Sequence, residues 1–138
     1  MKMKKERREN YLGIDWGSVN VGVAIADGET KVALAYITLK NNKDLLNSLG
    51  GIISKENITT VVIGILSYIN RKEVEYDGEK LGKLMQKLFS VNVAYQNEMF
   101  TTKIAQARLI ERGEKKVSKR DDAEAARIIL QEWLDINE

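Results

Sequence analysis

The stretch Leu12-Gly13-Ile14-Asp15-Trp16-Gly17-Ser18-Val19-Asn20-Val21-Gly22-Val23-Ala24 is an apolar run, a short polar turn and a second apolar run. It reads as two strands, Tyr11–Asp15 and Val21–Ala26, with Gly17 permitting the tight turn between them. A third strand, Lys31–Thr38, follows after a further short turn, so the three form an antiparallel meander. Asp15 ends the first strand, where the sheet stops and the hairpin turns. Burying a lone carboxylate is costly unless it is paired or bound to a metal. Gly13 leaves room beside it on the same face, and Gly22 lets a ligand backbone approach. The alternative is structural, because aspartates at strand ends often accept hydrogen bonds from turn amides.

Beyond Asn41 the period changes. Leu45, Leu46, Leu49, Ile52 and Ile53 recur at helical spacing up to a stop near Asn57. The β-branched run Thr59–Gly64 then reads as a strand buried on both faces. A polar stretch, Ser67 to Asp77, precedes a second helical pattern at Leu81, Leu84, Met85 and Leu88, and Val91–Tyr95 reads as a fifth strand. Thr101 or Thr102 can cap a helix through Arg112. A last helix over Lys119–Leu134 carries one stripe of Ala125, Ile129 and Trp133 and another of Ala126, Leu130 and Leu134. The expected fold is α/β: an RNase H-like mixed five-stranded sheet, three antiparallel strands joined to two parallel ones, with helices on both faces.

The chain has 138 residues, the size of a single domain, and is 43% hydrophobic and 30% charged. A basic tail over residues 1–10 followed by one domain over 11–138 is the expected organisation. No apolar run approaches a bilayer span, and no signal-peptide core follows the basic start, so a cytoplasmic protein is expected. There are no Cys and no His residues. Disulfides, thiolate chemistry and imidazole ligands are therefore excluded, and catalysis falls to carboxylates, Lys, Tyr, Ser or Thr. Net charge is only +2, but it is unevenly placed. Lys and Arg crowd the first eight residues, and Arg112, Lys115, Lys116, Lys119 and Arg120 form a second basic cluster. Each cluster is either a phosphate-binding surface or simply solvated.

Two further acids stand out. Glu98 follows the fifth strand and Asp122 lies in the first turn of the last helix. Strands one, four and five are neighbours in this topology, so the ends of strands one and five share an edge. Asp122 is also favoured by the helix dipole alone. Three carboxylates gathered at one edge repel each other unless a cation sits among them, and an all-oxygen set suits Mg²⁺ or Mn²⁺.

These motifs resemble the YqgF (RuvX) family. The resemblance rests on Leu12–Ala24, Val62-Ile63-Gly64, Asp77-Gly78 before the next helix, Asn97-Glu98-Met99-Phe100-Thr101-Thr102, and Asp122-Ala123-Glu124-Ala125-Ala126 opening the helix that ends Ile129–Leu134. It implies an RNase H-like fold and metal-dependent phosphodiester cleavage in pre-16S rRNA maturation, with Holliday-junction resolution as the alternative. Asp15, Glu98 and Asp122 match the three acidic positions, as catalytic residues and as ligands of Mg²⁺ or Mn²⁺. Nucleic-acid contacts are expected from Gly17, Asn20, Thr101, Thr102, Lys119 and Arg120, with the protein a monomer or homodimer. Trp16 stands where the family usually has Pro, and Asn97 and Met99 flank Glu98 where it has Asp and Arg. Those departures motivate a rival reading, a nucleic-acid-binding ribosome-biogenesis factor that has lost turnover. A small ATP-binding domain is a third reading, resting only on the Asp15-to-Gly22 spacing.

Overall fold

The computed structural model describes residues 9–65, 77–97 and 119–137, with the backbone alone for 119–121. Its elements run β1 (Asn10–Asp15), β2 (Asn20–Ala26), β3 (Ala33–Lys40), α1 (Leu45–Lys55), β4 (Ile58–Ile65), α2 (Asp77–Phe89), β5 (Asn92–Asn97) and α3 (Lys119–Ile136). The sheet order is β3-β2-β1-β4-β5. β1–β2 and β2–β3 are antiparallel, and β1–β4 and β4–β5 are parallel. This is the expected mixed sheet, with β1 at its centre. The expected helix from Thr101 or Thr102 to Arg112, and the basic tail as far as Arg8, lie outside the described residues.

Period-two alternation divides β1 between two cores. Leu12 and Ile14 face a core shared with Val21, Val23, Val61 and Ile63, covered by Leu45, Leu49 and Ile53 of α1 and by Leu81 and Met85 of α2. Tyr11 faces the other core, where Ala24, Ala26 and Val62 meet Ala126, Ile129, Leu130 and Leu134 of α3. α3 lies close because the facing residues are small. A Cβ added at Gly13 would stand 2.7 Å from the Leu130 Cβ and 3.0 Å from the Ala126 carbonyl oxygen. Gln131 fastens the same helix to the sheet margin: its Oε1 accepts from the Ala33 amide at 2.8 Å and its Nε2 donates to the Lys31 carbonyl at 3.1 Å.

Several boundaries differ from the sequence expectation, each for a local reason. β1 begins at Asn10, whose Nδ2 donates to the Glu56 carbonyl at 2.8 Å. β3 starts at Ala33 because Lys31 sits at φ 55°, closing a turn through its amide to Asp27 O at 2.8 Å. α1 starts at Leu45 after a turn over residues 42–45, in which the Leu45 amide donates to the Asn42 carbonyl at 3.0 Å and the Asp44 amide to Asn42 Oδ1 at 2.9 Å. Its end matches, with Asn57 in the left-handed region at φ 54°. Asp77-Gly78 opens α2 instead of preceding it. Among the described residues no helix is long and apolar enough to cross a membrane.

Candidate active site at the sheet edge

Asp15 is the last residue of the central strand, and its neighbours across the sheet define the site. One register row runs Thr38–Gly22–Asp15–Gly64–Gln96 across all five strands. Residues paired across a ladder project to the same face, and alternation puts this row on the α3 side, with Tyr11, Ala24 and Val62. Asp15 is thus half-buried and flanked by a buried glycine on each side.

The space above Gly22 belongs to α3. A Cβ on Gly22 would overlap the Asp122 carbonyl and lie 2.9 Å from the Ala123 amide nitrogen. The main chain of Asp122 is therefore seated on the residue directly opposite Asp15, about 5 Å away across the ladder. One missing side chain thus lets a main chain from the far end of the sequence lie against the strand beside β1. Asp122 is half-buried in the first turn of α3. Nearby, Arg127 grips Glu124 at two points, Nε to Oε1 at 2.9 Å and Nη2 to Oε2 at 2.6 Å. The hydrogen bond to Glu124 holds the Arg127 guanidinium above its ordinary pKa, as expected of a cation paired with a carboxylate.

The hairpin after Asp15 is fixed from outside. A Cβ on Gly17 would collide with the Asn20 carbonyl, so the turn closes only around glycine. Asn41, just past β3, donates its Nδ2 to the Gly17 carbonyl at 2.7 Å and its amide to the Val19 carbonyl at 2.9 Å. Asn20 begins β2 opposite Lys40 and is half-buried.

Of the expected site residues, Asp15, Asp122, Gly17 and Asn20 fall at this edge. Glu98, Thr101 and Thr102 lie outside the described residues, as do the side chains of Lys119 and Arg120 in the first turn of α3. β5 ends at Asn97, paired with Ile65, on the edge where β1 ends at Asp15. Among the described residues no three acidic side chains form a metal-binding group. Sequence reading missed Asn41, Gly64 and Gln96. Gly64 had left a signal, a glycine closing a β-branched run; the other two had left none.

A central strand ending in an aspartate, in a sheet of this order with a helix start laid over the adjoining strand, is the arrangement of an RNase H-like domain. The solved RuvC of Thermus thermophilus in complex with a Holliday junction substrate superposes with a TM-score of 0.58 at 18% identity, covering 94% of this chain and 95% of that one. The Fowlpox virus resolvase bound to Holliday junction DNA gives 0.60 at 14% identity, covering 93% and 98%. The chain belongs to the RuvX family, described as Holliday junction resolvase, whose model matches residues 9–136. Curated relatives carry the name "Putative pre-16S rRNA nuclease", among them the following two. That of Streptococcus sanguinis is 35% identical over 136 residues, 91% of this chain and 97% of the relative. That of Porphyromonas gingivalis is 33% identical over 131 residues, 90% and 94%.

Proposed function

We propose that this protein is a metal-dependent nuclease that hydrolyses phosphodiester bonds in maturing the pre-16S rRNA, acting in the cytoplasm as a monomer or homodimer. The observation that carries the reading is the seating of Asp122 on Gly22, directly across the ladder from Asp15. The names of the relatives supply the RNA substrate.

The donor set fits a hard divalent cation. The chain has neither His nor Cys, and its edge acids offer only oxygen, as Mg²⁺ and Mn²⁺ require. Asp15, Glu98 and Asp122 would hold the ion, which when bound would polarise the scissile phosphate and lower the pKa of water. The rest is positioning. Gly22, whose open face is taken by the main chain of Asp122 and not left for a ligand, seats the start of α3 beside Asp15, and Asn41 holds the Gly17 turn. Thr101 or Thr102 would order the turn presenting Glu98, and Gly17, Asn20, Thr101, Thr102, Lys119 and Arg120 would meet the flanking backbone.

The family description supports a second substrate, the four-way DNA junction. The test is cleavage of a ribosomal precursor and a four-way junction side by side, with Mn²⁺, Mg²⁺ or chelator. Metal-dependent cleavage of the precursor in preference to the junction is expected. Salt-sensitive binding of RNA without cleavage under any metal would replace this reading with that of a factor without turnover.

A further inference from the structure

We infer that the groove beside Trp16 is a subsite for an unpaired nucleobase of the substrate strand next to the scissile phosphate. The inference rests on the nuclease reading above and narrows its substrate to nucleic acid that is single-stranded at the point of cleavage.

Trp16 directly follows Asp15, and alternation turns it to the opposite face, where it packs half-buried against the core under α1 and α2. There it forms one wall of a groove of about 310 Å³ whose lining includes Leu46 and Leu84, with Asn41 at the hairpin end and Lys43 and Lys80 beside them. Leu84 is 45% exposed, so the groove offers apolar surface to an incoming group. That volume lies within the range of small-ligand sites, about 300–1,000 Å³.

The occupant follows from the chemistry of the lining. An aromatic face takes a base by stacking, ammonium groups take the adjoining phosphates, and a carboxamide reads base edges. Asp77, also in the lining, stands 4.0 Å from Lys80, but both side chains are largely solvent-exposed, so the pair is weak and leaves Lys80 able to meet a phosphate. Asn41 joins the two sites: it lines the groove and holds the Gly17 turn that follows Asp15 and Trp16. A strand crossing the edge of β1 would thus place a phosphate at Asp15 on one face and the neighbouring base against Trp16 on the other. A base still stacked and paired in a duplex cannot enter, so the groove selects unpaired strand.

The chain has two tryptophans, so the Trp133→Phe protein reports on Trp16 alone. Its emission is titrated with a single-stranded RNA oligonucleotide, and separately with the same RNA annealed to its complement, in chelator so that no cleavage occurs. Saturable quenching by the single strand, and little by the duplex, is expected. Labelled-RNA anisotropy on the otherwise unaltered protein should show Trp16→Ala weakening single-strand binding about 5- to 100-fold, with Trp16→Tyr retaining most of it. Lys43→Gln should lower the salt slope by about one. Trp16 packs on the core, so the alanine variant is read only if its melt stays cooperative; otherwise the emission titration and Trp16→Tyr decide. Single-strand binding that leaves Trp16 emission unchanged, or equal quenching by duplex, overturns the inference. Metal-dependent cleavage of the ribosomal precursor by such a protein would leave the nuclease reading standing. Absence of both binding and cleavage removes the two together.

Discussion

Asp15 stands directly across the β1–β2 ladder from Gly22, and the volume a side chain on Gly22 would need is filled by the main chain of Asp122. The glycine therefore fixes how close the start of α3 comes to the end of β1. Gly22→Ala must push that helix start outward or unpair the strand. Overpacking of this kind costs about 1–3 kcal/mol. Urea unfolding should show that loss, and metal-dependent cleavage should fall far more steeply than stability, because the variant still folds while its acids no longer share an edge.

Asn41 is outside the acidic set yet holds the hairpin that follows Asp15 through the 2.7 Å bond to the Gly17 carbonyl. Asn41→Ala removes a hydrogen bond worth about 0.5–1.5 kcal/mol. A lowered melting temperature together with reduced cleavage is expected. Asn41→Asp should be worse on both counts, since it sets a carboxylate against a carbonyl oxygen.

Two adjacent glycines in α1 make opposite predictions. At Gly51 an added Cβ meets nothing within 4 Å, whereas at Gly50 it would stand 2.7 Å from the Phe89 ring of α2. Gly51→Ala should raise stability by about 0.5–1 kcal/mol through helix propensity alone and leave cleavage unchanged. Gly50→Ala should forfeit that gain, because the ring must move. Parallel urea melts of the two variants compare them directly.

Tyr36 on β3 donates its hydroxyl to Glu56 Oε2 at 3.0 Å, and this hydrogen bond, with lesser contributions from burial and the carboxylate's charge, raises the phenol pKa above its ordinary value of 10.0. A raised acid pKa stabilises the protonated form in the fold. The contribution is fully present below the ordinary tyrosine value and disappears as pH rises through the raised one. The stability difference between the parent and Tyr36→Phe should therefore be flat at neutral pH and shrink at alkaline pH. A difference that stays constant through the tyrosine range would show that the bond is not formed in solution.

The fold was readable because its signals are local and agree with one another. Glycine-punctuated apolar runs marked β1 and β2, a β-branched run marked β4, and helical spacing marked α1, α2 and α3, so element type and the mixed sheet followed. Boundaries set by single side chains were not readable: nothing in the pattern announced that Lys31 would take φ 55° or that Asn42 would anchor a turn before α1. Asp15 was legible through its place between Gly13 and Gly17. Asp122 was named beside Asp15 only through the family resemblance; the packing of α3 on Gly22 that seats its main chain there spans most of the chain, and no local periodicity carries it. Gln96 joins the row of Asp15 only through the parallel register of β4 and β5, which pairing alone reveals.

The account depends on Asp15 and Asp122 acting on one cation. Calorimetric titration of Mn²⁺ into the parent, Asp15→Asn, Asp122→Asn and the double variant addresses this without reference to any substrate. Each single change should remove binding, the double should be no worse than either, and the metal-free melts should be unchanged or higher as clustered charge is relieved. Parent-like Mn²⁺ affinity in either single variant would contradict a shared site.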